Sequence, residues 1–477
     1  MRKHLTAVIA LLLSAQLRAN AIRVFDLTVN HNDSTVTFKL EWQNGWHLSY
    51  NYDAAWVFVK FRRCYETGPW THGLIDTSIT KHSFGGLEPV WTLRGPRLGT
   101  VGIDTFPYNT GVMLRIRGRG VFATVGPHTI TLKLMNLPRP DPNDPNDSYD
   151  VSVFAIEMVY IPTGPYWNLH AYYRNYGIYV DSPGDKSFNL YYMCTYPERF
   201  TAYWGFHLAK YEISQGQYAD FLNHLPNGAV SNRFSLANYN LNRNRLQLGG
   251  LGVYTDRPDR AQNYLSVLDF LAYCDWAALR PATALEYIKA ARGSAYPPDP
   301  NQNAEYAWGT EAPVAGTHFN GAENGTEEFS TPSNANCTFN NVTYTGGDGG
   351  RGPARVGIHA KPGTSDRARS GAGAYGNLDL SGNLAEFYLR MGGPSGYNYA
   401  DFGRLMPGDG ILDANGDYNE DWPRNAANNL TWEARGGAWS TTNTDLLRIT
   451  YNSVVAINAN DVNGNTRWSD RGGRPAR

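Results

Sequence analysis

The chain has 477 residues, of which 42% are apolar and 13% aromatic, which is enough for a packed core and excludes a wholly disordered protein. Its 42 basic and 43 acidic residues leave a net charge of −1, so the sequence has no basic excess that would attract nucleic acid or an anionic membrane. The 49 glycines and 27 prolines favour a loop-rich protein with β-structure, in about two or three domains.

The first 21 residues have the pattern of a secretory signal peptide. A basic start precedes an apolar run from Leu5 to Ala15, and small residues follow up to a cleavage site expected after Ala21. The apolar run is too short to span a membrane, and no later run of about twenty apolar residues replaces it. We therefore expect an exported protein, secreted or periplasmic, without a transmembrane segment.

Residues 22–155 have the pattern of an all-β domain. Apolar and polar residues alternate from Val36 to Trp42 and again from Ile130 to Leu134, as in half-buried strands. The continuous apolar run Trp56–Val59 indicates a strand covered on both faces. Gly and Pro clusters separate these runs, which predicts a small β-sandwich. A strand pattern from Val151 onward continues into the next region without a linker.

Three helices are predicted in the region that follows. Ser214 and Gln217 have the spacing of a capping box, and so do Thr283 and Glu286. Between them, residues 267–278 carry apolar side chains on one helical face. After the third helix the sequence becomes rich in Gly, Asn and Thr, so this segment is expected to need restraints other than regular secondary structure.

Cysteine and histidine spacing gives little support for a transition-metal site. The four cysteines, Cys64, Cys194, Cys274 and Cys337, are far apart and form no CxxC pair. One disulfide is possible in an exported protein, but spacing does not identify the pair. The 11 histidines show neither HxxxH nor HExxH spacing, so close sequence neighbours do not form a zinc-type site.

The stretch Gly376–Tyr388 reads GNLDLSGNLAEFY and concentrates hard oxygen ligands. Asp379 precedes a turn at Gly382 and Asn383, and Glu386 follows it. Two carboxylates and turn carbonyls at this spacing suit Ca²⁺, which takes about six to eight oxygen ligands in flexible geometry. The alternative is a β-turn flanked by two solvated acids.

Short motifs in a specific order extend along the C-terminal two-thirds of the chain. In chain order they are KYEISQGQY (210–218), LRPATALEY (279–287), ARG (291–293), YAWG (306–309), GNLDLSGNLAEF (376–387), RGGAW (435–439) and GR (473–474). Over roughly residues 156–477 this set resembles the formylglycine-generating enzyme family, also called the sulfatase-modifying-factor family. The resemblance implies an α+β fold related to C-type lectins, with little regular secondary structure.

The resemblance also implies two structural calcium sites. The first would use Asp379, Gly382, Leu384 and Glu386. The second would use Asn336, Cys337, Asp348 and Gly350. In each set two side chains and two backbone carbonyls supply the oxygen atoms. Ions held in this way are expected to brace loops rather than to perform chemistry.

The catalytic positions of the family differ in this sequence. The family's oxidases bind copper through two cysteines that follow the RGG motif, and they convert a substrate cysteine to formylglycine. The corresponding positions here are Thr441 and Leu446, and no cysteine follows Cys337. Because Cu(I) prefers thiolate ligands, we expect no copper, no catalytic residue and a pseudoenzyme.

Two functions remain open from the sequence. The first is a binding or structural module for an unknown protein or glycan, with aromatic residues as candidates for a binding cleft. These aromatic residues are Trp308, Trp432, Trp439, Trp468, Tyr397, Tyr399 and Tyr451. Trp308 and Trp439 lie in fold motifs and are expected in the core. The second is an oxidase or maturation enzyme of the family that uses a different metal or site. The histidine-bearing helical domain of the family's iron-dependent branch has no counterpart in the N-terminal region.

Overall fold

A computed structural model gives the architecture of most of the chain. It describes residues 22–64, 66–93, 97–144, 147–169, 177–182, 202–294, 305–309, 312–361, 366–389, 406–419, 422, 432–450 and 464–477. The expected signal peptide, Cys194, Tyr397, Tyr399 and Tyr451 lie outside these residues.

Short strands are the commonest regular element. The strands are β1 (Arg23–Asn30), β2 (Thr35–His47), β3 (Asp53–Arg63), β4 (Thr71–His72), β5 (Leu87–Val90), β6 (Val112–Ile116), β7 (Gly120–Lys133), β8 (Tyr149–Ile161), β9 (Tyr166–Leu169), β10 (Gly177–Val180), β11 (Phe206–Ala209), β12 (Leu246–Gly249), β13 (Gly252–Thr255), β14 (Arg280–Pro281), β15 (His318–Asn320), β16 (Glu328–Thr331), β17 (Ala385–Leu389), β18 (Trp432–Arg435), β19 (Arg471–Gly472) and β20 (Pro475–Ala476).

The helices are short and, in the described part of the chain, follow β11, apart from one early 3₁₀ turn. The α-helices are α1 (Gln215–Asn223), α2 (Val230–Arg233), α3 (Val267–Trp276), α4 (Ala284–Arg292) and α5 (Arg367–Ser370). The 3₁₀ helices are Ile79–Lys81, Leu236–Asn238, Leu241–Arg243 and Thr444–Leu447. No helix in the described ranges is long and apolar enough to cross a membrane.

Two sheets face each other in the N-terminal region. One has the strand order β1-β2-β7, and the other has the order β14-β20-β11-β8-β3-β6-β5 with β4 beside β3. The alternating residues Val36, Phe38 and Leu40 of β2 are fully buried and share a core with Val57 and Leu114 of the larger sheet. The predicted half-buried strand is therefore confirmed, since the alternating apolar residues form its buried face.

Strand β3 is covered on both faces, which explains its continuous apolar run. Val57 and Val59 belong to the core between the two sheets, whereas Trp56 and Phe58 belong to the core shared with the helices. The Trp56 indole nitrogen donates a hydrogen bond to the carbonyl of Ala277, at 2.8 Å. The larger sheet therefore packs against both the smaller sheet and the helical region.

Strand β8 continues the larger sheet from the N-terminal region into the C-terminal region. It pairs antiparallel with β3 along its length and with β11 at its C-terminal end. It crosses residue 155, where the sequence places the end of the β-sandwich. The division into domains at 22–155 and 156–477 remains a prediction.

Capping boxes position the three main helices. Ser214 accepts a hydrogen bond from the backbone of Gln217 and begins α1, and Thr283 does the same with Glu286 at α4. Both boxes are confirmed. Helix α3 occupies residues 267–276 and ends two residues before the predicted end. The architecture of several sheets and short helices is a strand-rich α+β fold.

Candidate metal centre

The loop between Asp379 and Glu386 leads into β17 and contains three left-handed residues. The φ angles are 58° at Asp379, 91° at Gly382 and 63° at Asn383. Gly382 also approaches a neighbouring loop closely, since a Cβ there would lie 2.5 Å from the Cys337 Sγ. Glycine is the residue that accommodates both the conformation and the contact.

Three buried carboxylates lie around this loop: Asp379, Glu386 and Glu212. Glu212 accepts hydrogen bonds from the Leu384 backbone N–H at 2.8 Å and the Asn383 side-chain amide at 2.5 Å. Burial, with repulsion from the two other acids, raises the pKa of Glu212 well above its ordinary value. Burial also raises the pKa of Asp379 to about 6. Glu212 was not among the predicted site residues, although its place in the KYEISQGQY motif was a signal for it.

One guanidinium lies among these acids. Arg474 Nε donates to Glu386 Oε1 at 2.7 Å, and the Tyr388 hydroxyl donates to the other oxygen of Glu386. Arg474 also donates to the backbone carbonyls of Ala209 and Leu378 at 3.0 and 2.6 Å. Full ionisation of the three acids and Arg474 would leave two more negative than positive charges, and Arg355 also attracts the charge of Asp379.

The first predicted ligand set has oxygen donors of the type that Ca²⁺ accepts, but Arg474 and Tyr388 occupy the two carboxylate oxygens of Glu386. Asp379 and Glu386 supply carboxylate oxygens, and the backbone carbonyls of Gly382 and Leu384 lie in the same loop. In the described part of the chain, no three His, Cys, Asp or Glu side chains are grouped so that they could hold a metal. A site here would therefore depend on backbone carbonyls as well, which Ca²⁺ accepts readily. A divalent cation would also balance the buried negative charge.

Asn336 and Cys337 of the second predicted calcium set form hydrogen bonds within the protein. Asn336 Oδ1 accepts from the Val314 N–H at 2.8 Å, and its Nδ2 donates to the Ala368 carbonyl at 3.0 Å. The Cys337 thiol donates to the carbonyl of Ser381 at 3.1 Å, which connects this segment to the first loop. These bonds explain why Asn336 and Cys337 are buried without requiring an ion.

Asp348, which also belongs to the second predicted calcium set, lies among arginines. Arg257 binds both carboxylate oxygens of Asp348, at 2.5 and 2.6 Å, and Arg260 binds one at 2.9 Å. Burial opposes ionisation of Asp348, but these hydrogen bonds outweigh it and hold the pKa well below its usual range. The Gly350 carbonyl accepts from the Tyr344 N–H at 2.8 Å. A cation at Asp348 would face two guanidinium groups, so the second set fits calcium less well than the first.

The positions of the family's copper ligands hold no thiolate. Thr441 is buried, and its hydroxyl accepts from the Ala438 N–H at 2.9 Å. Leu446 lies in the 3₁₀ helix that spans residues 444–447. Cys64, Cys274 and Cys337 are free among the described residues, and burial raises the pKa of Cys274 and Cys337 well above the ordinary thiol value.

The tryptophans do not line an open cleft in the described part of the chain. Trp308, Trp432 and Trp439 are at most 5% exposed, so the expectation that Trp308 and Trp439 belong to the core is confirmed. Trp468 is partly buried and packs against the main core. The other three candidates for a binding cleft, Tyr397, Tyr399 and Tyr451, lie outside the described residues.

These features define a strand-rich α+β protein with a buried acidic loop and no thiolate pair beside its RGG motif. Residues 152–454 match the profile of the FGE-sulfatase family, described as the sulfatase-modifying factor enzyme 1-like domain. The chain belongs to this family, because the match covers more than half of it. The resemblance inferred from the ordered motifs is confirmed. A comparison with individually curated proteins finds no match.

Proposed function

We propose that this protein is an exported, calcium-braced member of the sulfatase-modifying-factor family without copper oxidase activity. It would serve as a binding or structural module for a protein or glycan. The observation that carries this proposal is the pair Thr441 and Leu446 at the copper-ligand positions. A hydroxyl and an isobutyl group cannot replace two thiolates as ligands for Cu(I).

The buried acidic loop supports the calcium part of the proposal. Glu212 binds the loop at Leu384, and Asp379 accepts from the Gly357 N–H at 2.5 Å. Arg474 joins Glu386 to the C-terminal strands. Ca²⁺ at Asp379 and Glu386 would reduce the repulsion within this crowded group and hold the loop in place. The proposed role is structural, since the side chains around it bind other parts of the same chain.

The fold of the C-terminal region belongs to the same proposal. We assign it to the C-type-lectin-related architecture of the family on the basis of the family match and its short, dispersed elements. Long irregular segments between short strands are compatible with ions as additional restraints. The predicted signal peptide supports export, and N-terminal sequencing of secreted protein should then begin at Ile22.

The competing function is an oxidase or a maturation enzyme with a different metal or site. Family membership is the observation that favours it. Fold and family do not decide between the two, because catalytic function depends on the residues of the site.

Metal content and oxygen consumption test the proposal together. Purified wild-type protein should contain calcium and no stoichiometric copper or iron, and it should not consume oxygen with a cysteine-containing peptide. The matched control is the double variant Thr441→Cys/Leu446→Cys, which restores a thiolate pair and should bind Cu(I). Stoichiometric copper or iron in the wild type, or peptide-dependent oxygen consumption, would establish the competing function.

A further inference from the structure

A cleft of about 680 Å³ lies beside the second predicted calcium set. Its charged lining consists of Arg243, Arg245, Arg260, Arg351 and Asp348, and we call it the arginine cleft. Four guanidinium groups and one carboxylate therefore line the same space. This composition differs from that of a cation site, in which carboxylates predominate.

Two carboxylates are shared by three arginines in and beside the lining of the arginine cleft. Glu323 binds Arg243 and Arg260, the latter at 2.6 Å. Asp348 binds Arg257 and Arg260. Arg243 and Arg260 are almost fully buried and hold these acids rigidly. This group of three arginines and two acids therefore carries one more positive than negative charge.

The outer part of the arginine cleft adds a second excess positive charge. Arg245 forms a two-point pair with Asp256, at 3.0 and 2.7 Å. Arg351 is exposed, and its Nε donates to the Thr343 hydroxyl at 2.9 Å. Within the described ranges Arg351 has no acidic partner. In total, five guanidinium groups face three carboxylates in and around the cleft.

The backbone that carries this lining is unusual. Asn240, Asn242 and Arg243 have left-handed φ angles of 62°, 45° and 65°. Non-glycine residues in this region are held there by surrounding structure, and they cluster at ligand sites. The Tyr264 hydroxyl and the Asn263 amide both bind Asn242, at 2.7 and 3.0 Å, and fix this segment.

We infer that the arginine cleft binds an oxyanion group, namely the phosphate, sulfate or carboxylate of a small molecule or glycan. Guanidinium groups bind such oxyanions by paired hydrogen bonds, and the excess positive charge favours them over cations. The volume lies within the range of small-molecule sites, about 300–1,000 Å³. Arg351 would make the direct contact, because its other nitrogens are not engaged by an acid in the described structure.

This site and a calcium ion at Asp348 are mutually exclusive. The guanidinium groups of Arg257 and Arg260 occupy the positions around the carboxylate from which Ca²⁺ would be coordinated. The inference is independent of whether the protein retains oxidase activity, since none of these residues lies at the Thr441 position.

Calorimetric titration of the full mature protein with sodium phosphate and with sodium sulfate tests the inference. The test variant is Arg351→Gln, whose side chain is exposed and makes a single hydrogen bond, so the fold should be retained. The matched control is Arg369→Gln, an exposed arginine elsewhere on the surface. We expect saturable binding in the wild type and the control, with Kd about tenfold to hundredfold higher in Arg351→Gln.

Further titrations identify the source of the oxyanion. A sugar phosphate and a sulfated disaccharide should bind more tightly than the free ions if the group is carried on a glycan, whereas equal affinity would indicate a free anion. Binding should weaken at high ionic strength. Absence of saturable anion binding, or an equal loss in both variants, would overturn the inference. Loss of one bound calcium in Asp348→Asn would also overturn it.

Discussion

Arg474 and Glu386 form an ion pair that is almost completely withdrawn from solvent, with Nη2 2.5 Å from Oε1. Arg474 lies between β19 and β20, and Glu386 lies in β17, so the pair connects the small C-terminal sheet with the large one. Glu212 and Asp379 lie in the same group, and this pair is the main internal compensation for its negative charge.

Replacement of Arg474 is expected to be severe. Arg474→Met would leave buried carboxylates without a cation and should lower the free energy of unfolding by about 3–5 kcal/mol. Arg474→Lys should restore little of this loss, because an ammonium group cannot reproduce the hydrogen bonds of the guanidinium. Urea unfolding gives the measurement. Arg369→Met, at an exposed pair, should cost about 0–1 kcal/mol, and an equal effect at the two positions would contradict this account.

Removal of calcium should lower the melting temperature. A ligand that binds only the folded state stabilises it by about 2.7 kcal/mol when its free concentration is a hundredfold above Kd. The chelator-induced shift should disappear in Asp379→Asn and persist in Glu66→Gln, an exposed acid outside the loop. Differential scanning calorimetry with and without chelator measures the shift in melting temperature of both variants. A shift that survives in Asp379→Asn would place the ion elsewhere.

The buried group of Asp53, Glu157 and Lys210 predicts a pH effect. Lys210 Nζ lies 3.0 Å from Asp53 and 2.9 Å from Glu157. Burial, with repulsion from Asp53, raises the pKa of Glu157 from 4.5 to about 7 despite the attraction of Lys210. The folded state therefore retains a proton that the unfolded state has lost, so this contribution to stability is present below pH 4.5 and decreases as the pH rises to about 7.

The measurement is the difference in unfolding free energy between the wild type and Glu157→Gln. Buried His207 and His359 act in the opposite direction, since burial lowers the pKa of each to about 3, and the difference removes their effect. The wild type should lose about 3 kcal/mol relative to Glu157→Gln between pH 4.5 and pH 7. Glu328→Gln should run parallel to the wild type, and a pH-independent difference for Glu157→Gln would refute the assignment.

Gly382 and Gly228 form a matched pair for a test of close packing. Their φ angles are 91° and 87°, but an added Cβ meets the Cys337 Sγ at 2.5 Å in one case and no atom within 4 Å in the other. Gly228→Ala should cost about 1–2 kcal/mol from backbone conformation alone. Gly382→Ala should cost about 1–3 kcal/mol more from the contact. Thermal unfolding of the two variants tests this. Equal losses of unfolding free energy would show that the loop that carries Cys337 moves to accommodate the added Cβ.

Local patterns in the sequence predicted several elements correctly. The alternation in β2 and the two capping boxes depend on residues two or three positions apart, which interact in any fold that forms the strand or helix. The family could be identified from the sequence because each motif is a short run of neighbouring residues and the order of the motifs can be read directly along the chain. The absence of the cysteine pair also follows from the sequence.

Tertiary structure decided which charges meet. Glu212 reaches the Asp379 loop across 172 positions, and Arg257 reaches Asp348 across 91. Neither contact can be predicted from a periodic pattern in the sequence, because the distance along the chain does not determine the distance in space. The sequence by itself determined the family, the local elements and the presence of oxygen-bearing side chains in the Asp379 loop. Only the fold showed that this loop carries excess buried negative charge, whereas Asp348 lies among arginines.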